Sequence, residues 1–259
     1  MNHYIPRTAA AALVVLAMPA LAASQPGIAT VTPGTLTVCT FGGFPPTSYA
    51  LPSGAWAGLD ARFVRRFASS VGLAVDARVS SEFDGIWRRP GAGECDLAAA
   101  GITVTDDRSS DARGATFTKQ YHTTLRAFVV RRGSTLTGVR GLAGRTILVG
   151  KGSIAFEDVQ RRVRRARVAG VRIRFGAGEV PNRRAVLAGR AFAYETDDLS
   201  AEQAARVDPR LAVAWAHPRL DARGRNVREG LAYVVRDSST GLLPALNAFI
   251  SAKGRTYAG

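Results

Sequence analysis

The sequence predicts an α/β protein built from two small doubly wound units. Three observations predict it. From Leu36 onward, segments of strand character alternate with segments of helix character; the alternation runs once, then starts again after Gly133; and glycines or polar residues punctuate the ends of the apolar strands.

In the first unit "LTVCTF" reads as a strand. "GLDARFVRRFASSVG" reads as a helix with Phe63, Val64, Phe67 and Val71 on one face and Gly72 as its stop. "LAVDARV" is the next strand, "EFDGIWRR" a short helical turn and "CDLAAAGIT" a third strand, the β-α-β-α-β order of a parallel sheet. The second unit follows "LRAFVVRRG" with strand "RTILVG", helix "AFEDVQRRVRRARVAG", strand "VRIRF", helix "VPNRRAVLAG" and strand "AFAYET". Phe156, Val159 and Val163 give its first helix an apolar stripe, and Gly170 is the predicted stop. The chain returns through "LAVAWA" and "EGLAYVVR" to a last helix, "GLLPALNAFISA". Two similar small units imply a ligand cleft between lobes.

The N-terminus reads as a targeting segment. "RTAAAALVVLAMPALA" has one basic residue, an apolar run broken by Pro19, and Ala20-Leu21-Ala22 in the pattern of a signal-peptidase site. Residues 1–22 are therefore expected to be a cleavable signal peptide, with no cysteine beside the site for a lipid anchor. The roughly 235 residues that remain suit one large α/β domain or two small ones. A formal charge of +15 and a pI near 11.1 first suggest nucleic acid. Lysine, however, occurs only at positions 119, 151 and 253, and arginine is spread along the chain, so a nucleic-acid partner is not expected. One helix is the exception, where five arginines crowd between Arg161 and Arg167; it is read as a solvated face rather than a docking surface for an anionic partner. Cys39 and Cys95 could pair in an oxidising compartment, but one falls late in a strand and the other opens another, which argues against a bond. With His3 in the leader, only His122 and His217 remain, so neither a zinc site nor any cofactor is expected.

Four stretches carry candidate chemistry. "AAAGITVTDDR" ends a buried strand in a bare Gly101 amide, the Thr103 hydroxyl and a forked Arg108, which together suit a small carboxylate; the plain alternative is a strand with a polar turn. "VGKGS" turns from strand to helix, where amides point outward to make an anion seat, yet its spacing fails that of a phosphate loop. "ETDD", Glu195 to Asp198, could serve acid/base chemistry, bind a metal or seat an ammonium, or be merely solvated. "FGGFPPTSY" and Phe83 bring aromatic side chains to the same strand ends.

The order of these blocks, from "LTVCTFGGFPPTSY" through "GLD", "EFDGIW", "CDLAAAGITVTDDR", "LAGRTILVGKGS" and "AVLAGRAFAYETDD" to "EGLAYVVRDSS", resembles the periplasmic amino-acid-binding proteins of ABC importers, the bacterial solute-binding protein family 3. The resemblance runs from about Leu36 to Asn247. It implies a type II periplasmic-binding fold, two doubly wound α/β lobes joined by two crossover strands, with residues 34–122 plus 228–259 in one lobe and 123–227 in the other. It also implies that Phe44 and Phe83 sandwich the ligand, that Arg108 and the Thr103 amide and hydroxyl clamp its carboxylate, and that Asp197 takes its ammonium. Ala100 and Gly101 would add backbone contacts, Ile154 its amide, and Ser153 any hydroxyl. Phe41 stands where relatives that bind cationic amino acids carry an aspartate, which favours a neutral amino acid. The chain stops soon after "AKGRTYAG", where relatives continue into another helix, and this puts the packing of the first lobe's C-terminus in question.

The expected function is periplasmic binding of a small amino-acid-like solute, by a monomer, for delivery to an ABC permease. Two alternatives stay open. Cyclohexadienyl dehydratases are similar to these proteins, with Glu195 or Asp198 as the candidate proton donor, and a binding module of this kind can also report to a sensor.

Overall fold

The computed structural model describes residues 27–257 together with Met1; the signal-peptide reading falls on residues outside these. Strand β1 (Thr35–Phe41) is apolar or β-branched almost throughout and buried on both faces, as a central strand of a parallel sheet must be. The glycine- and proline-rich segment after it folds into three short strands, β2 (Gly43–Phe44), β3 (Ser48–Ala50) and β4 (Trp56–Ala57). Helix α1 (Leu59–Ser70) buries Phe63, Val64 and Phe67, as its spacing predicts. Gly58 precedes it with φ 113, and a Cβ there would lie 2.5 Å from the Thr47 carbonyl oxygen. β5 (Ala74–Ser80) pairs in parallel with β1 over its whole length.

Cys39 and Cys95 are disulfide-bonded, against the expectation from their strand positions. Cys95 lies just ahead of β6 (Leu97–Thr103), the other parallel neighbour of β1, so the bond crosses from β1 to the segment entering the neighbouring strand. The polar turn after β6 is a short helix, α2 (Asp106–Asp111), capped by the Thr105 hydroxyl, which accepts from the Arg108 amide. β7 (Ala115–Phe117) and β8 (His122–Thr124) follow, and β9 (Arg126–Arg131) carries the chain into a second sheet.

There β10 (Thr146–Gly150) leads into α3 (Ile154–Arg165). The helix ends well before Gly170, because Arg167 takes a left-handed φ of 53 that breaks it. β11 (Arg172–Gly176), α4 (Glu179–Leu187) and β12 (Ala193–Asp197) complete the predicted alternation. Helix α5 (Asp198–Val207) was hidden behind the acidic cluster, although its alanine-rich body favours a helix. β13 (Leu211–His217) and a hairpin of β14 (Arg219–Leu220) and β15 (Asn226–Val227) follow. The arginines of α3 are largely spent on that hairpin: Arg161 donates to the Leu220 carbonyl, Arg162 to that of Pro218 and Arg165 to that of Gly224. β16 (Glu229–Arg236) returns to the first sheet, and α6 (Leu242–Lys253) packs on it. Tyr257 answers the question over the C-terminus, since it is buried in the first core and donates to Asp60 Oδ1 at 2.8 Å.

The first sheet has the order β5-β1-β6-β16-β7, with β8 also on β16; the second has the order β11-β10-β12-β9-β13. Each has three parallel strands extended by antiparallel ones, because β9 and β16 run back as they cross between the lobes. The carboxyl ends of the parallel strands carry the residues that line the space between the sheets.

Candidate functional site

A cavity of about 370 Å³ lies between the lobes. Phe41, Phe44 and Phe83 give the first lobe's wall an apolar surface, with Phe41 edge-on to Phe83 at 5.7 Å. Gly101 has φ +62, and a Cβ on it would sit 2.9 Å from the Phe44 ring, so only glycine lets that ring lie on the strand end. The Gly101 amide is already used: it donates to Asp60 Oδ2 at 2.8 Å. Asp60 Oδ1 accepts from Tyr233 at 3.1 Å and from Tyr257, so a buried acid on α1 fixes the strand end from behind. Burial pushes its carboxyl up to about 6 against these bonds. Ala100 is buried in β6 and does not line the cavity.

Arg108 sits on α2 with its guanidinium 4.6 Å from the Trp87 ring centre, and it is buried. It donates from one terminal nitrogen to the Thr103 carbonyl at 3.0 Å and from the other to the Gly152 carbonyl of the second lobe at 2.9 Å. Its remaining N–H groups are free for a ligand, and burial lowers its pKa to about 10. The Thr103 hydroxyl, expected to face a ligand carboxylate, donates here to Glu229 Oε2 at 2.9 Å. The Ser153 hydroxyl likewise donates to the Gly150 carbonyl at 2.7 Å. Ile154 opens α3, where first-turn amides have no intrahelical acceptor, so its amide stays available as the sequence suggests.

Asp197 ends β12 and caps α5, with Oδ1 accepting the Ser200 amide at 2.7 Å. Its Oδ2 has no partner, and burial raises its carboxyl to about 6. Arg126 stands opposite both Asp197 and His217 in strand register. It is 3.4 Å from Glu195 and 3.6 Å from Glu229, tying the two crossover strands together. Burial raises Glu195 well above the usual carboxylate range, while burial and Arg162 lower His217 to about 4. Asp158, Glu195 and His217 offer three ligand atoms within 4.8 Å of one another, closer than their sequence spacing suggested. Both acids already face guanidiniums, Arg162 at 2.7 Å from Asp158 and Arg126 beside Glu195.

The cleft therefore gathers Phe44, Phe83, Gly101, Thr103, Arg108, Ser153, Ile154 and Asp197. The family model for bacterial extracellular solute-binding proteins, family 3, matches residues 36–255. The chain belongs to that family. Among curated proteins, none matches the sequence. An ancestral arginine-binding protein bound to arginine is similar in structure, with a TM-score of 0.73 and 24% identity over 86% of this chain and 95% of that one. The substrate binding protein of an amino acid ABC transporter has a TM-score of 0.70 and 21% identity, over 86% and 94% of the two chains. An ancestral amino acid-binding protein that is a precursor of cyclohexadienyl dehydratase has the same score and identity, over 86% and 92%. These likenesses establish the two-lobe α/β fold of this family member.

Four residues that shape the site were passed over in the sequence. Arg126 and Glu229 each open a crossover strand whose middle is apolar, and a charge in that position was the available signal. Asp60 looked like an ordinary first-turn acid of α1, and Glu179 like one of α4. Glu179 bears on the expected specificity. The preference for a neutral amino acid rests on Phe41, Phe44, Phe83 and Ile154 giving the cleft an apolar lining without a fixed charge, and the same cavity is also lined by the buried Glu179.

Proposed function

We propose that this family member binds one small zwitterionic, amino-acid-like solute in the periplasm, as a monomer, and delivers it to the permease of an ABC importer. The observation that carries the proposal is the convergence on one cavity of Arg108, with guanidinium donors to spare, and Asp197, with an unpartnered oxygen. A fork of donors fits a carboxylate, and a buried acceptor fits an ammonium. The Ile154 amide would assist Arg108, while Phe44 and Phe83 flank the ligand. Relatives of the same fold bound to arginine or to glutamine support an amino-acid ligand. The lobe boundaries belong to the same proposal: residues 34–122 with 228–259, and 123–227, hinged where β8 leads to β9 and where β15 leads to β16.

A thermal-shift panel on the mature protein, covering amino acids, opines, polyamines and prephenate, tests it. A true ligand raises the midpoint progressively with its concentration. No shift with any amino acid would count against the proposal. A dehydratase is the second reading, favoured by Glu195, which lines the cleft with a raised pKa and an unpartnered Oε2 as a proton donor would. Product formation from prephenate would establish that activity instead. Delivery to a sensor would leave binding intact and remove the dependence of uptake on this protein.

A further inference from the structure

An amino acid's own carboxylate and ammonium account for Arg108 and Asp197 but leave the cleft with more acid than base. Four lining side chains end in a buried carboxylate oxygen without a hydrogen-bond partner: Glu179 Oε2, Glu195 Oε2, Asp197 Oδ2 and Glu229 Oε1. Among the described residues, two buried guanidiniums line the same space, Arg108 and Arg126. Arg126 is shared between Glu195 and Glu229. Glu82, Asp84 and Lys151 also line the cleft, but as exposed side chains whose charges are screened by solvent.

Glu179 is what remains. It is only 6% exposed and takes part in no ion pair among the described residues. It opens α4 directly after Gly178, where a Cβ would come within 3.2 Å of the Gly43 carbonyl oxygen, so it stands where the second lobe closes on β2. The hydroxyls of Tyr194 and Thr196 stand beside the carboxyl and partly offset the burial that raises it to about 7, but its Oε2 itself makes no hydrogen bond. A buried carboxylate without an ion pair is costly, and a neutral ligand would leave it so. A second positive group on the ligand would remove that cost. Its methylenes could lie along Phe41 and Phe44, in the manner of long basic side chains on apolar surfaces.

Resting on the amino-acid reading above, we infer that Glu179 receives a second cationic group of the ligand, so that the favoured solute is a basic amino acid. The test is titration calorimetry of the mature protein with L-arginine, L-lysine, L-glutamine and L-citrulline, the uncharged isostere of arginine, repeated on Glu179→Gln and Glu179→Asp. The wild type should bind arginine or lysine at least tenfold more tightly than citrulline or glutamine. Glu179→Gln should remove that preference by weakening only the basic ligands, with no loss of ligand-free thermal stability; Glu179→Asp should keep it in part. Equal or tighter binding of citrulline or glutamine by the wild type would overturn the inference while leaving the amino-acid reading standing. So would a Glu179→Gln variant that weakens all four ligands alike. Binding of none of the four would overturn the inference, and the amino-acid reading with it only where the thermal-shift panel also finds no amino acid.

Discussion

Asp60 in the first lobe and Asp197 in the second are both buried aspartates, and burial lifts both carboxyls to about 6. Their surroundings differ. Each oxygen of Asp60 is filled by the protein itself, through the Gly101 amide and the hydroxyls of Tyr233 and Tyr257. Asp96, also in the first lobe, accepts from the amides of Val31 and Thr37 and from Ser239. In the second lobe Glu179, Glu195 and Asp197, all lining the cleft, each keep one buried oxygen without a hydrogen-bond partner. The same desolvation thus serves two ends. A saturated buried acid holds backbone in place, whereas an unsaturated one waits for a donor that the protein does not contain.

The first lobe should therefore lose stability when its bonds are cut, and the second should lose binding. The largest effect is expected from the disulfide, which exists only in the first lobe. Replacing both Cys39 and Cys95 by alanine frees a loop closed over a sequence separation of 56, which chain entropy values at about 4 kcal/mol. Urea unfolding should show that loss, with ligand affinity almost unchanged in the folded variant. Next comes Asp60→Ala, which strands one amide and two hydroxyls in the core. At about 1 to 3 kcal/mol for each unsatisfied group, the combined loss should reach about 3 kcal/mol or more. A loss below about 1 kcal/mol would mean that Asp60 is not the anchor of Gly101.

Asp197→Asn should behave in the opposite way. Since its folded-state pKa is raised, the folded protein keeps between about pH 4 and pH 6 a proton that the unfolded chain has released. Wild type is favoured at the acid end of that window and loses stability as pH rises through about 6; the asparagine variant lacks this term. Relative to the variant, wild type should therefore lose up to about 3 kcal/mol between those limits. Unfolding of the two ligand-free proteins across pH measures it, and parallel profiles would mean that Asp197 is satisfied in solution.

Legibility in the sequence followed this division. Regular alternation of strands and helices was readable because both periodicities leave a mark on every turn, as the match of α1 and β6 to their patterns shows. Gly101, Arg108 and Asp197 were readable because they fall at strand ends, where an α/β sheet presents its ligands. Partnering was not readable. Nothing in "GITVTDDR" tells that the Thr103 hydroxyl is spent on Glu229, far away in sequence, or that Gly101 is held by Asp60. The Cys39–Cys95 bond was misjudged because strand position along the chain says little about the distance between neighbouring strands. Glu179 was missed because a first-turn glutamate is ordinary on any helix, and only tertiary structure shows it to be buried.

Arg108 and Arg113 make the most direct test of the cleft as a carboxylate site. Both lie in the same short stretch, but Arg108 is buried and lines the cavity, whereas Arg113 is exposed and does not. Titration calorimetry with the tightest amino acid of the thermal-shift panel should find Arg108→Ala weakened at least tenfold, about 1.4 kcal/mol or more, and Arg113→Ala unchanged. Wild-type affinity in Arg108→Ala, with the variant folded, would contradict the assignment and leave "AAAGITVTDDR" as a strand with a polar turn.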